Sequence, residues 1–275
     1  MNTLKKFATR FPVLFGLMLI ALYPVLAFLA YPVSMLFPSS EVGQLYSAAA
    51  IKLTMFLACV LILWRFGWIG ASGITRIGSR KTWMVVAVIF AYHLVVDLYA
   101  FTGKVGIVTA NSPMGLANLV YYLPASLFEE MMFRGLILLA MVSAWGDTKR
   151  GLAKAVFFSS LLFGLIHLYN LANLPAGVVG LEAVGAAMLG ILWAALVLIS
   201  GSLWPAILLH WLTNAAVNIQ LIGIDNFQET YGVHIQMIIL FIPMVILGAY
   251  LVWKIPEPRQ TENQAQLTPI FNSNP

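Results

Sequence analysis

Glu129, Glu130 and Arg134 sit in the middle of a stretch, 114–144, that is otherwise almost wholly apolar. A charge at the centre of a membrane helix costs roughly 2.5–3.5 kcal/mol, so three together need something like 8–10 kcal/mol of compensation. No chain keeps that arrangement in contact with lipid. The charges must face each other or a polar cavity, and cavities of that kind inside membranes are where chemistry or transport takes place.

The rest of the chain fits a membrane setting. Of 275 residues, 61% are hydrophobic and 9% charged, and the mean hydropathy is +0.91. Soluble domains carry about 25% charged residues, so the soluble globular class is excluded. Bilayer-length apolar runs recur throughout, which predicts an all-α polytopic membrane protein, a bundle of about eight transmembrane helices with an intramembrane polar cavity. The runs are 11–37, 45–64, 82–101, 114–144, 152–169, 176–199, 203–222 and 233–253. The first resembles a secretory signal behind Lys5, Lys6 and Arg10, but it is far too long for one and reads as a first membrane helix. Pro12, Pro24 and Pro32 predict that it bends. The single cysteine, Cys59, excludes an internal disulfide and any multi-cysteine metal site, and is expected to be a small buried hydrophobe.

Basic residues fix an expected orientation. With the N-terminus inside, twelve Lys and Arg residues lie on the cytoplasmic side and one, Lys104, outside. Glu41, Asp225 and Glu229 occupy outer loops, and both termini are expected in the cytoplasm. This dispersal at segment ends accounts for the net charge of +5 without any nucleic-acid partner. After Trp253 the composition turns polar, and 255–275 reads as a disordered cytoplasmic tail. The expected organisation is therefore N-terminal membrane helices over 1–113, a core over 114–222, a last membrane helix over 223–254, and the tail. No internal repeat, Gly-rich phosphate loop or soluble catalytic domain is evident.

Glu130 and Arg134 are spaced i,i+4, one turn apart on one helix face, which favours pairing. Glu129 is offset by about 100°. The expected division is a structural Glu130–Arg134 pair that leaves Glu129 free to point into a cavity. His167 closes the fifth run and, counted at 1.5 Å per residue, lies level with Glu129 about 22 Å from the inner face. A carboxylate and an imidazole at one depth can share a water, the minimum for general-base activation. His210 and Asn214, again i,i+4, project from one face of the seventh run but count as shallower, which predicts that the turn Ser200-Gly201-Ser202 is recessed below the surface. The other intramembrane polar residues carry less. His93 and Asp97 read as a satisfied pair or a proton relay, Lys52 is expected to snorkel, Glu182 to reach water, and Gly185, Ala186 and Gly190 to allow close helix packing.

Three strings then stand in order: Glu129-Glu130-Met131-Met132-Phe133-Arg134 (EExxxR), Phe163 to His167 (FxxxH) and His210 to Asn214 (HxxxN). Together with Gly201-Ser202-Leu203-Trp204-Pro205 they resemble the CAAX prenyl protease type II family, also called the CPBP or abortive-infection intramembrane proteases. The resemblance covers roughly 115–220. It implies a CAAX-protease-like core that hydrolyses a peptide bond in a membrane cavity, with a peptide or membrane-anchored protein as substrate, in a bacterial cytoplasmic membrane. It assigns Glu129 as general base acting with His167, His210 and Asn214 as oxyanion stabilisers, and Glu130 and Arg134 as supports. A zinc ion held by Glu129, His167 and His210 stays open, with a metal-independent mechanism slightly favoured. Two other readings compete: a non-catalytic immunity or scaffold protein of the same family, and a proton-coupled transporter relaying through Glu129, His167, His93 and Asp97.

Overall fold

In hydrocarbon every backbone polar group must be satisfied within the chain, and the apolar runs meet that demand as helices. The computed structural model describes residues 3–100, 112–221 and 231–256, and among them there is no strand. A short α1 (Thr3–Arg10) precedes α2 (Pro12–Ala30), α3 (Glu41–Phe66), α4 (Ile69–Ser72) and α5 (Arg80–Ala100). Next come α6 (Pro113–Glu130), a π-helical stretch (Met131–Leu138) and α7 (Leu139–Trp145), which together form one continuous rod. Then follow α8 (Lys149–Ile166), α9 (Ala176–Ser200), α10 (Trp204–Leu221) and α11 (Tyr231–Lys254). The expected membrane runs are helical through nearly all of their described residues, with 114–144 built from α6, the π stretch and α7. The tail beyond 256, Lys104, Asp225, Glu229 and the side chain of Asp97 lie outside the described residues.

Local signals place the ends. Ser40, Ser112 and Thr148 each accept a hydrogen bond from the backbone N–H three residues on, capping α3, α6 and α8. Pro12 opens α2, where its missing N–H costs nothing, and a 3-10 turn (Tyr31–Leu36) takes over at Pro32. The expected bend in the first run is thus a change of helix type.

Among the described residues, five helical spans are long and apolar enough by themselves to cross a membrane: 12–36, 41–66, 149–172, 176–200 and 234–254. Below that threshold fall α5 with His93, the α6–π–α7 rod with Glu129, Glu130 and Arg134, and α10 with His210 and Asn214, whereas Lys52 and His167 lie in two of the five spans. The π stretch is buried along its whole length, so its polar groups have protein rather than lipid around them. The chain is a polytopic all-α membrane protein. Its closest packing sets α9 against α11 and α8, and α3 against α6, with α10 on α6 and α5. Basic and aromatic residues gather at shared helix ends: Lys5 Nζ donates to the Phe66 carbonyl at 2.6 Å, Lys149 Nζ to the Trp253 carbonyl at 3.4 Å, and Lys154 lies 4.1 Å over Trp145.

The turn before α10 is covered by protein. Ser202 and Leu203 are fully buried. The cause is a lid of backbone from 73–78. Ser202 Oγ donates to the Arg76 carbonyl, Leu203 N–H to the Gly73 carbonyl at 3.3 Å, and Trp204 Nε1 to the Ile74 carbonyl at 2.8 Å. Gly73 adopts φ +80°, and a Cβ there would stand 2.6 Å from the Gly201 carbonyl oxygen. Both constraints demand glycine. Gly73→Ala is therefore expected to lower stability by roughly 1–3 kcal/mol through forced αL backbone and overlap. Thermal unfolding of the purified protein in detergent checks it, and an unchanged midpoint would mean that the lid tolerates a side chain.

Candidate active site

The EExxxR string does not continue as a simple α-helix. At Met131 the chain widens into π-helix, a form found most often as short bulges at functional sites. Glu130 and Arg134 nonetheless meet: Arg134 Nη1 donates to Glu130 Oε1 at 2.9 Å, with side chains 1% and 0% exposed. Arg134 is further held by Nη2 on the Gly190 carbonyl at 3.2 Å and by the faces of Phe163 at 4.5 Å and Trp193 at 5.4 Å. The planar guanidinium suits this setting, since it can bond in its plane and stack on aromatic rings at the same time. Gly190 does more than allow close packing. A Cβ there would meet Arg134 Nη2 at 3.2 Å and Ser160 Cβ at 3.0 Å, so the bare backbone is what admits the arginine.

Glu130 also receives His210. The Nδ1 of His210 lies 2.8 Å from the same Oε1, and its ring stacks on Trp193 at 4.3 Å and 18°. An arginine-paired carboxylate accepts hydrogen bonds, so Nδ1 carries the proton and donates. That fixes the ring's orientation and turns Nε2 toward Glu129, whose Oε2 stands 3.7 Å away. This gap is too long for a direct hydrogen bond and within reach of one bridging water.

His167 opens the 3-10 turn (His167–Ala172) after α8. Its Nδ1 lies 3.1 Å from the Phe163 carbonyl one turn back. A carbonyl only accepts, so Nδ1–H donates and Nε2 is left for other partners. Phe163 meets both imidazoles edge-on, at 5.3 Å from His167 and 5.8 Å from His210. The FxxxH string thus sets the imidazole with its carbonyl and supports Arg134 with its ring. Asn214 follows His210 by one turn and is half-buried.

Two sequence expectations need correction. Lys52 does not snorkel: its Nζ donates to Glu129 Oε1 at 3.1 Å and lies 3.3 Å from the Tyr23 hydroxyl, with 12% of the side chain exposed. Glu129 is accordingly not left without a partner. The signal was available in the charge count, because Glu129, Glu130 and Arg134 leave one negative charge uncompensated and Lys52 is the remaining basic residue in the interior of a predicted run, Lys154 lying at the start of one. Glu182 is half-buried, which leaves the expectation that it reaches water standing, and it also accepts from Asn170 Nδ2 at 2.9 Å through each oxygen. His93 is fully buried, and neither ring nitrogen finds a hydrogen-bond partner among the described residues.

The helical membrane bundle thus encloses a buried cluster of carboxylates and an imidazole. Residues 111–216 match the family model described as type II CAAX prenyl endopeptidase Rce1-like. These residues thus carry an Rce1-like domain within an integral membrane protein. Glu129, Glu130, Arg134, His167, His210 and Asn214 all fall inside the match, whereas Tyr23 and Lys52 precede it. Neither the curated proteins nor the solved structures give a significant match.

Removing the guanidinium leaves Glu130 buried and unpaired. Arg134→Met is expected to cost about 3–5 kcal/mol, and Arg134→Lys to recover little of it, because a point charge cannot serve both Glu130 and the Gly190 carbonyl. Unfolding midpoints of the two variants measure this. A stable, fully folded Arg134→Met protein would contradict it.

Proposed function

We propose that the chain is an intramembrane endopeptidase that hydrolyses a peptide bond of a membrane-associated protein or peptide by means of an activated water. The observation that carries this reading is the 3.7 Å separation between Glu129 Oε2 and His210 Nε2, with the Glu129 Oε1 and the His210 Nδ1 already engaged elsewhere. Two reactive atoms face each other across a space that one water spans.

In this mechanism Glu129 takes a proton from the water as its oxygen attacks the carbonyl carbon, and the Nε2 lone pair of His167 helps to hold that water. Charge develops on the former carbonyl oxygen. His210 and Asn214 are placed to donate to it, and such preorganised donors act most strongly where bulk water is excluded. For His210 this role requires a proton on Nε2 as well as on Nδ1. Glu129 then returns the proton to the amine nitrogen as the C–N bond breaks. Glu130 and Arg134 do not touch the reacting atoms; they fix the ring of His210.

Zinc fits this donor arrangement poorly. Among the described residues no three of His, Cys, Asp and Glu come together as a ligand group, and the Lys52 ammonium stands 3.1 Å from the carboxylate that would bind the ion. A dication beside an ammonium meets direct repulsion. These points support a metal-independent mechanism. The distribution of basic residues supports an orientation with both termini in the cytoplasm.

Glu129→Gln keeps the shape of the site and removes the base. Cleavage is expected to fall by about 10²- to 10⁴-fold with folding retained. Comparing membrane-derived peptides from wild-type and variant cells checks this even while the substrate is unidentified, and the peptides that differ identify it. If the two peptide profiles coincide, a binding-only immunity or scaffold role replaces the hydrolytic one. Cleavage by the purified protein is expected to survive chelators, and its loss with recovery on adding zinc would reverse the metal-independent assignment.

A further inference from the structure

The reaction described above uses one oxygen of Glu129, and the other is held from outside the Rce1-like domain. Lys52 projects from the middle of α3 and donates from Nζ to Oε1 at 3.1 Å. Its position is set on several sides. The Tyr23 hydroxyl lies 3.3 Å from Nζ, and the ammonium sits 5.2 Å over the ring of Tyr23 and 5.2 Å over that of Phe128. Tyr23 in turn lies against Tyr169 at 5.4 Å, and Tyr169 is tied by its hydroxyl to the Ile20 carbonyl at 3.0 Å. An ammonium enclosed by ring faces and a hydroxyl has little freedom to follow solvent. It occupies a fixed place beside the carboxylate.

The geometry has two consequences. An uncompensated carboxylate 18% exposed in an apolar bundle carries a large desolvation cost, and the nearest fixed positive charge is Lys52. Arg134 cannot supply that charge, because it is committed to Glu130 and the Gly190 carbonyl. In addition, a bond to Oε1 fixes the rotation of the carboxyl group and leaves Oε2 facing His210 Nε2. We infer that Lys52 is a positioning residue for hydrolysis: its ammonium keeps Glu129 in the anionic form a base requires and turns Oε2 toward the two imidazoles. The inference rests on the hydrolytic reading for its purpose, and the charge it assigns to Glu129 can be measured without any cleavage. The groups facing Glu129 are Lys52 from α3, His210 from α10 and His167 beyond α8, with Tyr23 and Tyr121 reaching Lys52.

The test is infrared difference spectroscopy of the full chain in lipid nanodiscs near neutral pH, with Glu129→Gln subtracted to isolate the signal of that one carboxyl group. Wild-type protein is expected to give no protonated-carboxyl stretch from Glu129. Lys52→Met is expected to give one, and Lys52→Arg, which keeps a cation, to abolish it again. Lys52→Gln serves as the second neutral variant should Lys52→Met fail to fold. A merely structural lysine would alter stability and leave this band unchanged. A protonated Glu129 signal in wild-type protein overturns the inference, as does its absence from a folded neutral variant. In cells, the peptide profile is expected to be lost with Lys52→Met and restored with Lys52→Arg. A coincident wild-type and Glu129→Gln profile would sink the hydrolytic reading while the infrared result still reports the ion pair.

Discussion

One carboxylate oxygen holds the site together. Glu130 Oε1 accepts from Arg134 and from His210 Nδ1, joining the π-helical rod to α10, and Arg134 extends the link through the Gly190 carbonyl to α9. The group is fully buried. Burial of a charge pair is costly unless its geometry and additional hydrogen bonds are good, so such a cluster fixes arrangement more than it adds net stability. Here the arrangement sets the His210 ring at one nitrogen and presents the other toward Glu129.

Around that oxygen the aromatic residues work as spacers. Phe163 stands edge-on to both imidazoles and under the guanidinium, and Trp193 stacks on His210. Aromatic faces favour the cation and the ring planes restrict rotation, so packing and electrostatics act on the same side chains. On the far side of Glu129, Tyr23 and Phe128 do the same for Lys52. The carboxylate proposed as base is thereby gripped from α3 and faces α10.

Depth is created by backbone as well as by side chains. α10 starts under a lid formed from 73–78, which satisfies the polar groups of the Ser202 turn away from water and lets His210 enter the level of Glu129. The lid depends on Gly73, whose φ and whose contact with Gly201 exclude a side chain.

Much of this was legible in the chain itself. Apolar run length determined the helices, because lipid leaves the backbone no other solution, and i,i+4 spacing determined which polar residues share a face. The three motif strings named the family that residues 111–216 match. What sequence could not supply was pairing between helices. Lys52 and Glu129 are 77 positions apart, His210 and Glu130 are 80, and nothing local selects one partner over another. The switch to π-helix after Glu130 was likewise hidden, since its residues have ordinary helical character and only packing on all sides decides the wider turn. Short-range periodicity is written in the order of residues. Which buried charges meet is decided by the bundle, because the cost of leaving any of them alone in a low-dielectric interior is settled only when all the helices are in place.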